Sequence, residues 1–126
     1  MAAALPEVTE TLKWGRRTWM VGGKGFVWER PLNKSDIKRL GGDRPPEGEI
    51  LGLATEDFHE KEAILASAER GFFTIAHFDG YPAYLIQLNV VGKRILRAAV
   101  VDAWLAMAPP KLAEQYMRGR QRRRPA

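Results

Sequence analysis

Alternation of apolar and polar residues in the first quarter of the chain predicts a β-hairpin. The alternating apolar positions, on either side of a Gly22-Gly23 pair, are Trp19, Val21, Phe26 and Trp28. Period-two alternation is typical of half-buried strands, and paired glycines suit a tight turn between them. We therefore predict strands at about residues 16–21 and 25–30, the second ended by Pro31.

A long polar stretch separates this hairpin from a third strand. Within residues 31–49, the segment Ser35–Leu40 is predicted to form one helical turn with Ile37 and Leu40 facing inward. Residues Ile50–Thr55 are predicted as the third strand, although Gly52 weakens that prediction because glycine disfavours strand interiors.

A helix is predicted to begin after Asp57, where the pattern changes. The side chain of Asp57 can accept from the amide three residues on while Glu60 reaches back, a variant of the capping box. The helix is expected to run from Phe58 to about Arg70 and to end at Gly71 in a left-handed conformation. Its buried stripe is predicted to be Ile64, Leu65 and Ala68.

The second half of the chain predicts another hairpin and two helices. Strands are expected within 72–78 and 84–91, joined by turn residues 79–82. Apolar residues at helical spacing then predict the main helix of the domain: Leu96, Ala99, Val100, Ala103, Trp104 and Met107. Pro109 interrupts that helix, and Pro110 suits the first position of a last short helix through about Met117.

Five short strands in hairpins, without regular strand–helix–strand alternation, predict an α+β fold with a mainly antiparallel sheet and helices on one face. Residues 1–117 are predicted to form a single domain, and residues 118–126 a basic, flexible tail. With 126 residues the chain is long enough for one core.

Composition excludes several functional classes. The chain has no cysteine, which excludes disulfides, cysteine zinc sites and thiol catalysis. It has no apolar run long enough to span a membrane and no secretory signal at its start, so we expect a cytosolic protein and no membrane partner. No catalytic arrangement is evident, and we expect no enzyme activity, cofactor or metal, and a monomer.

The net charge of +5 comes from the C-terminus, because residues 1–117 carry 15 basic and 15 acidic groups. Basic residues nevertheless cluster in the first hairpin, interleaved with Trp14, Trp19 and Trp28. Cations and aromatic faces together suit nucleic acid. The candidate nucleic-acid-binding residues are Lys13, Arg16, Arg17, Lys24, Arg30, Arg118, Arg120, Arg122, Arg123 and Arg124. The alternative is that Trp19 and Trp28 are partly structural, the charges a solvated face and the tail without a specific role.

Two further groups of residues are candidates for a site. A small-ligand or protein-binding pocket would be formed by His77, Tyr81, Tyr84 and Trp104. An acidic segment, residues 56–62, has the ligand types for a metal ion, but helix capping and the helix dipole explain its acids equally well, and we favour capping.

Several short motifs resemble one known family. They are Leu5-Pro6-Glu7-Val8-Thr9-Glu10, Trp14-Gly15, Gly23-Lys24 with Phe26, Phe72-Phe73, His77-Phe78 with Gly80-Tyr81-Pro82-Ala83, Asp102-Ala103-Trp104 and Ala108-Pro109 with Lys111-Leu112-Ala113. Their order and spacing are similar to those of MmcQ/YjbR-like proteins. The resemblance implies a CyaY-like α+β fold and a DNA-binding function, and it carries over no catalytic residues.

Overall fold

In the computed structural model, residues 2–39 and 48–123 are described, with side chains to Arg120. Six strands form: β1 Thr9–Lys13, β2 Arg16–Val21, β3 Lys24–Glu29, β4 Ile50–Ala54, β5 Phe72–Phe73 and β6 Ala83–Gln87. Four α-helices accompany them: α1 Lys34–Arg39, α2 Phe58–Ala66, α3 Lys93–Met107 and α4 Pro110–Arg123. Ala76–Phe78 form a single 3-10 turn before β6.

The strands form one antiparallel sheet in the order β1-β2-β3-β4-β6-β5. The predicted α+β class is confirmed, but the sheet has six strands rather than five. The additional strand is β1, whose five residues are all exposed. An edge strand without a buried face carries no hydrophobic alternation, so its sequence gives no period-two signal.

A β-bulge in β3 decides which aromatic residues face which side of the sheet. Trp19 pairs with Val27 and Met20 with Gly25, which leaves Phe26 as an extra residue. Phe26 and Val27 are therefore both buried in the same core cluster, and Trp28 lies on the opposite face. Without the bulge, Phe26 and Trp28 would share a face, as their spacing predicts.

The main core lies between the sheet and the helices α2, α3 and α4. Ala99, Val100, Ala103 and Trp104 are buried on α3, which confirms the predicted stripe. Helix α4 joins this helical face through partly buried residues such as Tyr116. Each Å² of apolar surface that is removed from water stabilises the fold by about 25 cal/mol. This core is the larger of the two buried clusters, so it supplies most of that stabilisation.

Among the described residues, the helix and turn that cover the opposite face of the sheet, which we call the open face, lie at one end of it. There Ile50, Ile75, Phe78, Ala83 and Leu85 form a smaller buried cluster. Helix α1 contacts the 3-10 turn beside it. Over β1, β2 and β3, none of the described helices packs extensively on this face.

Two predicted helix ends differ from the structure. Helix α2 ends at Ala66 with Ser67 as its C-cap, before the predicted end near Arg70, and Gly71 takes its positive φ of 89° only later in the chain. Helix α4 runs to Arg123, past the predicted end near Met117. Its basic last turns give no apolar periodicity from which the sequence analysis could have extended it.

The short helix α1 is also turned differently from the prediction. Ile37 is exposed and Asp36 is buried, because Asp36 forms the ion pair described below. Leu40, the other residue predicted to face inward, lies outside the described residues. The first strand of the second predicted hairpin is reduced to the two residues of β5. In the described ranges no helix is long and apolar enough to cross a membrane.

Candidate functional site

A cleft of about 490 Å³ lies on the open face, beside the turn between β1 and β2. A second cavity of about 370 Å³ adjoins it and brings in His77 and Phe78. The residues common to both are Trp14, Trp28, Arg30 and Tyr81. The cleft is also lined by Lys13, Arg16, Thr18, Gly25, Glu29, Pro31 and Asn33. The combined surface is therefore aromatic with a basic edge.

Trp14 occupies the turn between β1 and β2 in an unfavourable conformation. Trp14 and Gly15 have φ values of 55° and 75°, the positive values of a type I′ turn. Asparagine, aspartate or glycine is the usual residue at the first of these positions, and a bulky side chain there costs about 1–3 kcal/mol. The Trp14 side chain is nonetheless 98% exposed, so the main core does not recover that cost.

Trp28 lies flat across the sheet because β4 has no side chain opposite it. Trp28 and Gly52 are cross-strand partners, and a Cβ built on Gly52 would lie 2.4 Å from Nε1 of Trp28. The rings of Trp28 and Tyr81 are in T-shaped contact at a centroid distance of 6.4 Å. The glycine that weakened the strand prediction thus makes room for the indole that forms the floor of the cleft.

Lys13 and Arg16 provide the basic edge of the cleft. They are cross-strand partners directly below the Trp14 turn, and both are exposed. Among the described residues neither forms an ion pair. Glu29 is the one acidic residue among the described residues lining the cleft, and its carboxylate accepts a hydrogen bond from the backbone amide of Arg17 at 2.7 Å. The cleft edge therefore attracts anions.

Arg30 anchors helix α1 to the open face, so its guanidinium is not as available to a ligand as the cations of Lys13 and Arg16 are. Its guanidinium forms an ion pair with Asp36 at 3.0 Å and stacks over Phe78 at 5.7 Å. Asn33 and Asp36 also exchange hydrogen bonds between side chain and backbone at the start of α1. Burial raises the pKa of Asp36, but the Asn33 amide and Arg30 outweigh it and hold that pKa below its ordinary value.

The Arg30–Asp36 pair is expected to make stability depend on acid pH. A carboxylate whose pKa is lower in the folded state stabilises the fold above its ordinary pKa of 3.8, and this stabilisation is lost as the pH falls through the folded pKa. Asp36→Asn should therefore lower the free energy of unfolding by about 1–3 kcal/mol at pH 7. In urea titrations the difference from wild type should shrink below about pH 4; a constant difference down to pH 2 would contradict this origin.

Lys61 holds the loop that carries Tyr81. This lysine of α2 is buried, and its Nζ donates to the backbone carbonyls of Phe78 and Tyr81, the latter at 2.8 Å. Burial lowers the pKa of Lys61, with nearby Asp79 opposing that shift. Burying a cation costs free energy of solvation. The two hydrogen bonds that Lys61 makes in return fix the position of this loop. No feature of the sequence marks Lys61, which occupies an ordinary helical position.

The other predicted basic residues do not line the cleft. Arg17 points to the helical face, where it pairs with Glu10 at 2.6 Å and stacks on Trp19. Lys24 is exposed at the start of β3, next to the glycine turn. Arg118 pairs with Glu114 one helical turn away on α4.

Arg118 and Arg120, the basic tail residues whose side chains the structure describes, belong to the helical side of the molecule. Arg120 lies over the ring of Tyr116, which itself packs against Trp104. Arg122 and Arg123 are within α4, and Arg124 lies outside the described residues. The structure therefore places Arg120 on the helical face, whereas Lys13 and Arg16 lie at the cleft on the open face.

The predicted pocket of four residues is divided between the two faces. His77 and Tyr81 line the cavity beside the cleft. Tyr84 and Trp104 are instead fully buried in the helical core, where Trp104 Nε1 donates to the carbonyl of Pro6 at 3.1 Å. Burial, with the charges of Asp102 and Glu60, raises the pKa of Tyr84. Alternate residues of a strand point to opposite faces, which separates Tyr84 from the loop before it.

The acidic segment caps helix α2, as predicted. The amide of Glu60 donates to the Asp57 carboxylate at 2.8 Å, and the Glu60 carboxylate accepts from the amide of Glu56 at 2.9 Å. The reciprocal bond thus goes one residue further back than in the usual capping box. Within the described ranges, no group of three or more potential metal ligands is present.

The fold and the cleft define a small α+β protein with an aromatic, basic surface on the open face of an antiparallel sheet. The model of the YjbR family matches residues 3–106, so the chain belongs to that family. It is 42% identical over 101 residues to uncharacterized protein Rv2570 of Mycobacterium tuberculosis and to uncharacterized protein Mb2600 of Mycobacterium bovis. In each case the match covers 79% of this chain and 78% of the relative. No solved structure matches the chain significantly.

Proposed function

We propose that the protein binds nucleic acid on the open face of its sheet, through the cleft beside the turn between β1 and β2. The observation that carries this proposal is the convergence of Lys13 and Arg16 with the rings of Trp14, Trp28 and Tyr81 on one exposed surface. Cations neutralise phosphates and aromatic rings contact bases, so these residue types together match the alternating chemistry of a nucleic acid. No catalytic step is part of the proposal.

The two cations set the expected strength and salt dependence of binding. Each phosphate contact contributes about −0.7 to the slope of log affinity against log salt for a single strand, and about −0.9 for a duplex. The double variant Lys13→Ala/Arg16→Ala is therefore expected to flatten the slope by about 1.4 or 1.8 respectively. Fluorescence anisotropy of labelled oligonucleotides over a salt series measures this directly.

The matched control is Arg118→Ala/Arg120→Ala, which removes the same charge from the helical face. We expect it to change the slope less than the hairpin variant does. An unchanged slope in the hairpin variant, or an equal loss in the control, would argue against the cleft and for general attraction of polyanions to the basic C-terminus.

A second candidate function is the binding of a small anionic aromatic ligand in the same cleft. Its volume of about 490 Å³ favours this candidate, because ligand pockets commonly measure about 300–1,000 Å³. A ligand bound only by the folded state raises the melting temperature. A thermal shift with a panel of aromatic carboxylates, lost in Arg16→Ala, combined with no oligonucleotide binding, would support the second candidate over the first.

A further inference from the structure

The turn residue Trp14 has no structural reason to be tryptophan. The next hairpin of the same chain makes its turn with Gly22 and Gly23, whose φ values of 58° and 77° closely match those of Trp14 and Gly15. Glycine adopts such angles without steric cost, whereas a tryptophan does not. The exposed indole contributes nothing to the core, so no burial of the side chain compensates for the conformational cost at position 14.

The surroundings of Trp14 offer both kinds of contact that a single nucleic-acid strand needs, an aromatic face for a base and cations for phosphates. Lys13 and Arg16 flank the turn as cross-strand partners, and all three residues line the same cleft. A base stacked on the indole would place its neighbouring phosphates near these two cations. Stacking of this kind needs an unpaired base, because a duplex keeps its base faces covered by their neighbours.

We propose that Trp14 is the stacking platform for an unpaired base, and that the cleft takes single-stranded rather than duplex nucleic acid. This inference rests on the proposed function and narrows it to one class of ligand. Trp28, at the floor of the cleft, and Tyr81, with their rings in edge-to-face contact, line the cleft beside this platform. Lys13 and Arg16 hold the strand, and Trp14 distinguishes a strand with accessible bases from one without.

The test compares three fluorescein-labelled probes by anisotropy: a short oligothymidylate, an abasic strand of the same length, and a duplex of mixed sequence. We expect the full chain to bind the oligothymidylate at least about tenfold tighter than either other probe. Trp14→Asn should bind the oligothymidylate about 5- to 150-fold more weakly, the loss expected for one stacked base. Trp14→Phe should retain most of the affinity.

Two measurements separate loss of stacking from loss of fold. Asparagine accepts the left-handed conformation better than tryptophan, so Trp14→Asn should melt at a temperature equal to or higher than wild type. Leu12→Asn is the matched control: Leu12 is 70% exposed on the same hairpin and pairs with Arg17, away from the cleft. It should leave oligothymidylate affinity unchanged.

The outcomes distinguish this inference from the proposed function. Equal binding of the abasic strand or the duplex, or full affinity in Trp14→Asn, overturns the inference, and the proposed function stands if Lys13→Ala/Arg16→Ala still weakens binding. If no probe binds in a way that depends on Lys13 and Arg16, both are overturned.

Discussion

Replacement of Trp104 with alanine is expected to lower the free energy of unfolding by about 3–5 kcal/mol and the melting temperature by roughly 10–25 °C. Trp104 is fully buried in the helical core, stacks on Tyr116 and donates a hydrogen bond to Pro6. Alanine would leave a large cavity and an unpaired carbonyl on the N-terminal segment. Thermal and urea denaturation followed by circular dichroism give both quantities.

The same position tests whether Trp104 takes part in ligand binding. Trp104→Phe keeps most of the ring volume, so the variant should stay folded at 25 °C despite some loss of stability. Because Trp104 lies on the far side of the sheet from the cleft, oligonucleotide affinity should equal that of wild type. A fall in affinity without unfolding would indicate that Trp104 takes part in binding. It would contradict the separation of Trp104 from His77 and Tyr81 by the sheet.

Gly52→Ala is expected to damage the cleft and the sheet together, at a cost of about 1–3 kcal/mol. The added Cβ would lie 2.4 Å from Trp28 Nε1, so the indole must leave the surface of β4. Trp28 would then lose its edge contact with Tyr81. We expect a changed near-ultraviolet circular dichroism spectrum, a lower urea midpoint and weaker oligonucleotide binding.

A double-mutant cycle shows whether the clash with Trp28 is the cause. In a Trp28→Val background the indole is absent, and alanine fits a strand better than glycine does. Gly52→Ala should then be neutral or stabilising, which gives a coupling of about 1–3 kcal/mol between the two positions. If the cost of Gly52→Ala were the same in both backgrounds, the clash would not explain it.

Elements with a strong hydrophobic period could be predicted from the sequence. The stripe of α3 has apolar residues at helical spacing over its whole length, and its buried residues are those expected. The hairpin of β2 and β3 follows from alternation around a glycine pair, and the start of α2 from the capping residue Asp57. These signals depend only on residues close together in the sequence, so they can be interpreted without knowledge of the tertiary contacts.

The part of the site that could be predicted follows the same rule. Basic and aromatic residues of the first hairpin stood out by composition, and the structure brings Lys13, Arg16 and Arg30 to the cleft. Arg17 was included because the sequence shows charge but not which face of a strand carries it. The roles of Gly52 and Lys61 at the cleft could not be predicted, because each acts on residues distant in sequence. Gly52 makes room for Trp28. Lys61 holds the backbone of Phe78 and Tyr81.

The sequence by itself determined the α+β class, the main helix and the concentration of cations and aromatic rings in the first hairpin. Only the tertiary structure decided where those rings point. The bulge at Phe26 turns Trp28 to the open face, and strand pairing places Gly52 beneath it. Alternation along β6 sends Tyr84 to the core, while Tyr81 stays at the cleft. Which face a side chain occupies depends on register, and a shift of one residue reverses it.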